Sequence, residues 1–213
     1  MRKVFFLLVF ATICMTNMAQ SSSNSYCPNS NHPHIIDLGI GVKWSCCNVG
    51  ADAPHKYGGY YAWGETKERS NYDREFYRYC HGSNFDNIGT DIGGTRYDVA
   101  AKNWGDRWRM PTIEEFEKLK NKCSHRVVTF NGIRGMKFTG PNGKSIFMPF
   151  GGLYITDDLR GRGNSGDYWS SCVRNNNATD WSGEKFSIYE DGNKVEFGGW
   201  FRQYGLNVRP VYD

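Results

Sequence analysis

Hydrophobic positions recur with a helical period in one clear stretch of this chain, where Ile113, Phe116, Leu119 and Cys123 share a face among polar residues. Thr112 opens the stretch: its hydroxyl can accept from the backbone N–H three residues on, and Glu115 can reach back to the cap's own N–H. Pro111 keeps helix from running backwards past the cap. The pattern predicts a helix from Thr112 with one buried stripe, and it places Glu114 and Glu115 in the first turn of an ordinary amphipathic helix. A shorter helix is expected from Asp98 as cap through Val99, Ala100 and Ala101, ended by Gly105.

Elsewhere the period is two. Leu38, Ile40, Val42 and Trp44 alternate with Gly39, Gly41 and Lys43, the signature of a half-buried strand. Residues 127–130, 133–139 and 145–148 read as a meander, because Asn131-Gly132 and Asn142-Gly143 supply the positive φ that tight turns need. Further strands are expected at 168–171, 186–190, 194–197 and 206–211, with Asp191-Gly192 as a hairpin turn. Residues 65–94 are polar and weakly patterned apart from Phe76, Tyr77 and Tyr79, and read as loop with short helical turns. No internal repeat is present.

Arg2 and Lys3 precede an apolar run of about ten residues ending at Ile13, with Ala19 beyond, so residues 1–19 read as a signal peptide. The run is too short to span a bilayer, and no later stretch supplies the roughly 20 apolar residues a transmembrane helix needs. A lipid anchor at Cys14 is disfavoured, since Ile13 stands where a lipobox needs a small residue. Residues 20–34 are polar and aperiodic and read as a linker; residues 35–213 read as one domain. The expected location is outside the cytoplasm: secreted, periplasmic or on the bacterial cell surface.

Removing the signal lowers the net charge from +4 to +2 and leaves scattered basic residues, which argues against nucleic acid as a partner. It also leaves six cysteines, an even number that in an exported chain permits disulfides. Zinc is disfavoured, because no pair of cysteines is spaced C-x2-C, and catalysis is not expected, because no nucleophile elbow, zinc-protease helix or P-loop occurs. Asp157, Asp158, Asn164 and Asp167 share one glycine-rich loop that could offer oxygen ligands to calcium, against the plainer reading of a solvated loop. No cofactor is expected.

Eight ordered runs carry a family resemblance: Asp37-Leu38-Gly39 with Val42-Lys43-Trp44, Cys47 to Ala51, Tyr60 to Thr66, Asn103-Trp104-Gly105, Trp108 to Thr112, Thr139 to Gly143, Tyr168-Trp169-Ser170-Ser171 and Val208-Arg209-Pro210-Val211. Across residues 35–212 the chain resembles the Fibrobacter succinogenes major paralogous domain family. The resemblance implies an α+β, C-type-lectin-like fold, with two helices, a twisted antiparallel sheet and long irregular loops. The same superfold includes sulfatase-modifying oxidases, which use a late cysteine pair with copper. Residues 198–213 hold no cysteine, and Cys172 stands where family members carry serine.

Aromatic residues make up 15% of the chain. Trp169, Trp181, Trp200, Phe201 and Tyr204 lie among polar residues, a mixture suited to recognition of sugars or protein epitopes, although Trp169 and Trp200 would equally fill a core. In related lectin-like proteins the ligand face lies between the Trp-Ser-Ser strand and the final strand. That resemblance implicates Asn175, Asn177, Asp180, Trp181, Trp200, Arg202 and Tyr204. The expectation is an exported, non-catalytic module that binds a surface glycan or protein; the alternatives are a structural component of the cell envelope and a sulfatase-modifying-factor-like enzyme.

Overall fold

The computed structural model describes residues 34–105 and 107–213. The signal and nearly all of the linker, with Cys14 and Cys27, lie outside the described residues. The chain enters through β1 (Ile35–Asp37) and β2 (Lys43–Ser45), then a long loop carries a 3-10 turn (Arg74–Phe76) and the small hairpin of β3 (Cys80–His81) and β4 (Asn84–Phe85). Helix α1 (Val99–Trp104), β5 (Trp108–Arg109) and α2 (Ile113–Lys122) follow. The remainder is strand: β6 (Ser124–Phe130), β7 (Ile133–Thr139), β8 (Ser145–Pro149), β9 (Leu153–Ile155), β10 (Asp158–Arg160), β11 (Ser165–Val173), β12 (Ser182–Tyr189), β13 (Val195–Phe201) and β14 (Val211–Tyr212).

The expected C-type-lectin-like α+β arrangement is not what these residues form. Strand far outweighs helix, and instead of one twisted sheet the described strands divide among five small ones, ordered β1-β2-β14-β5, β3-β4, β6-β7-β8, β9-β10 and β11-β12-β13. The reason is local. All four strands of the first sheet are two or three residues long, and Gly39 and Gly41, in left-handed conformation, separate its first two. The alternating run at 38–44 shows how this works. Only Lys43 and Trp44 enter a strand, β2; residues 38–42 form a turn in which Gly39 and Gly41 take φ of 75° and 77°, while Leu38, Ile40 and Val42 are still buried in the core. The expected strand at 206–211 likewise reduces to β14, with Leu206 and Asn207 making only single bridges to Tyr61 and Tyr168.

Both helices start where capping chemistry places them. Thr112 and Glu115 form the reciprocal capping box, and the Asp98 carboxylate accepts from Ala100 and Ala101 and also from Gly94 and Met110. Helix α2 buries Phe116 and Leu119. The Phe116 ring stacks on Phe186 of β12 at 4.5 Å and tilts against Trp44 of β2 at 5.3 Å, so one side chain joins two sheets. The meander β6-β7-β8 packs Met136, Phe138 and Met148 into the same core, turning at Asn131-Gly132, both with positive φ. A second core holds Trp63, Trp104, Trp108 and Trp169. There the indole N–H groups of Trp63 and Trp169 donate to the carbonyls of Ser170 and Tyr61, which satisfies the polar edge of each buried ring. No disulfide joins any two of the described cysteines. No helix among the described residues is long and apolar enough to cross a membrane.

Candidate functional site

The residues between β11 and β12, together with the end of β13, form one surface. After β11 the chain makes a tight turn with Asn175 and Asn176 in left-handed conformation, a geometry asparagine tolerates better than most residues. Asn177 then accepts at its side-chain oxygen from the N–H and hydroxyl of Thr179 (3.2 and 3.0 Å). Asp180 accepts from the N–H and hydroxyl of Ser182 (2.9 and 2.8 Å), and Asn175 donates to its other oxygen at 3.5 Å. These short polar side chains fold the loop that lifts Trp181 to the surface.

Four rings follow one another across this surface. Trp181 lies 4.5 Å from Phe201, Phe201 5.4 Å from Tyr204, and Tyr204 6.1 Å from Trp200. Trp181, Trp200 and Phe201 are 45%, 36% and 39% exposed, unusual for rings this large. Trp200 rests over the ammonium of Lys185 at 5.4 Å, and Lys185 is held in turn by Asp167 and Ser187. Beside Trp181 and Phe201 opens a cleft of about 480 Å³, lined also by Arg74, Ser83, Phe85, Asn177, Thr179 and Asp180. The Arg74 guanidinium lies over Phe85 at 5.0 Å, and its Nε donates to the Cys80 thiol at 3.3 Å.

Of the residues expected to bind, Asn177, Asp180 and Trp181 line this cleft, Asn175 is hydrogen-bonded to Asp180 beside it, and Trp200 and Tyr204 continue the row of rings. Arg202 is misplaced by the sequence reading. It is fully buried, its Nε donates to the Tyr77 hydroxyl at 3.1 Å, and its Nη1 reaches the carbonyls of Asp86, Ala178 and Asp180 at 3.2 to 3.4 Å. Its role is to hold the loop from beneath. Trp169 is core, whereas Trp200 is surface. Arg74, Ser83 and Phe85 come from a segment without periodicity, so no pattern in the sequence signalled them.

The acidic residues considered for calcium do not converge. Asp158 pairs with Arg160, Asp167 with Lys185, and Asp157 bonds the neighbouring Thr156 hydroxyl. Among the described residues no group of three or more His, Cys, Asp or Glu side chains is placed to share a metal ion. The Cys172 thiol is pushed above its ordinary pKa by burial, which works against a reactive thiolate. No family model matches the chain, and no curated protein or solved structure matches it.

Proposed function

We propose that the chain is an exported, non-catalytic binding module that recognises a glycan or a protein through loops of its C-terminal half. The observation that carries this reading is the row of partly exposed rings from Trp181 to Trp200 bordering a cleft of hydrogen-bonding side chains. A sugar presents C–H faces that stack on a ring, and hydroxyls that pair with carboxylate, amide and guanidinium groups. Trp181 and Phe201 offer the first, and Asp180, Asn177 and Arg74 the second. That combination favours a glycan over a flat protein epitope. The resemblance to the Fibrobacter paralogous family, in which exported and surface proteins are grouped, supports export.

A glycan array probed with the purified protein, paired with capture of proteins from cell-surface extracts, tests the proposal. Trp181→Ala and Phe201→Ala should each weaken a detected interaction by about tenfold, or about 1.4 kcal/mol, with an unchanged melting temperature. Binding that survives both substitutions would overturn the assignment of this face.

A further inference from the structure

A second cavity, of different chemistry, lies against the β6-β7-β8 meander. On the outward face of the β6-β7-β8 meander, Arg126, Lys137 and Phe147 stand in register across the three strands, with Val128 and Phe130 further along β6. Together with Ile36 and Pro54 they wall a groove of about 480 Å³, within the range of roughly 300–1,000 Å³ typical of small-molecule sites. Gly135 makes the floor possible: a Cβ there would come 2.5 Å from the Phe147 ring, so the ring lies where a side chain would otherwise stand.

Arg126 and Lys137 face each other directly on neighbouring strands. Like charges in that position cost stability. Among the described residues no carboxylate forms an ion pair with either, and none of the groove's lining residues is acidic. A local arrangement that opposes folding is expected where function requires it. An anion at the mouth of the groove would relieve the repulsion, and the apolar walls would take whatever is attached to it. Phe130 and Phe147 meet edge to face at 5.6 Å and 83°, and the other apolar walls are Ile36, Val128, Ile146, Pro54 and Cys46. No parallel ring faces wait to sandwich an aromatic disc. We infer that this groove binds a free aliphatic carboxylate, with the alkyl chain against Val128, Phe130, Phe147 and Ile36 and the carboxylate between Arg126 and Lys137.

Calorimetric titration with decanoate, decan-1-ol and decyltrimethylammonium tests the inference independently of the ring surface. Decanoate should bind saturably and at least about tenfold more tightly than the neutral and cationic analogues, since hydrogen bonds to charged groups are the stronger kind. Lys137→Glu separates function from structure. It turns the cross-strand pair with Arg126 attractive, so the melting temperature should hold or rise while decanoate affinity falls about tenfold or more. Val128→Asp should abolish binding, and Trp181→Ala should leave it intact. Absence of saturable decanoate binding, equal binding of decan-1-ol, or retained affinity in Lys137→Glu would each overturn the inference.

Discussion

The guanidinium carbon of Arg202 lies 4.7 Å from the centre of the Trp63 ring, with Phe85 and Tyr77 at 5.6 and 5.8 Å, so a cation is enclosed by three aromatic faces beneath the ring surface. No carboxylate is among its hydrogen-bond partners; the charge is met by ring faces, three carbonyls and a phenol. Arg202→Met should destabilise the fold by on the order of 3 kcal/mol, as several charge-assisted bonds and the cation–π contacts disappear together. Urea unfolding gives the number. Because Arg202 grips the carbonyls of Ala178 and Asp180, any binding lost in this variant should accompany loosening of that loop, visible as faster amide exchange across 177–181.

The start of α2 is coupled to the far end of the described chain. Glu115 accepts from the Thr112 N–H at 2.9 Å and takes both Nη groups of Arg109 at 2.7 Å, while Arg109 Nε reaches Asp213 at 3.0 Å. Thr112→Ala removes one cap bond and should cost about 1 kcal/mol. Glu115→Ala removes the cap's other half and the forked pair as well, and should cost more. Equal losses in denaturant unfolding would show that the Arg109 pair adds nothing.

Alkaline pH should unfold the protein through its buried phenols. Burial pushes Tyr72 up to about 12 from its ordinary value of 10.0, and raises Tyr61, Tyr77 and Tyr168 as well. A phenol whose pKa is higher folded than unfolded contributes stability that is fully present below pH 10.0 and is lost as pH rises through about 12. Tyrosinate absorbance should therefore rise late and together with the loss of near-ultraviolet circular dichroism. Gradual ionisation near pH 10 with the fold intact would contradict this.

Gly140 sits against the turn between β1 and β2, where an added Cβ would stand 2.0 Å from the Leu38 carbonyl oxygen. Backbone cannot yield as a flexible side chain does. Gly140→Ala should cost about 1–3 kcal/mol by forcing the two turns apart, measured as a lowered melting temperature.

How much of this was legible beforehand depended on the range of the interaction. Thr112, Glu115 and Asp98 announce their helices because caps act within three residues, and Asn131-Gly132 announces its hairpin for the same reason. The run at 38–44 misled over 38–42, where burial alternates in a turn before β2 begins at Lys43, a distinction that lives in glycine φ and not in hydropathy. The family resemblance singled out Trp181 and Asp180, which line one cleft. Arg202 was not readable as core, because its neutralising rings, Trp63, Tyr77 and Phe85, come from more than a hundred positions earlier. The division into five sheets was equally hidden, since it depends on where short strands find partners across the chain.

β14 supplies the last strand of the described chain and yet lies between β2 and β5 rather than at a border. β1 and β2 can pair as soon as both have been made, but β5 finds a partner in this sheet only when Val211 and Tyr212 arrive. Closure of that sheet is therefore a late, long-range step, whereas the meander β6-β7-β8 joins strands that are neighbours along the chain.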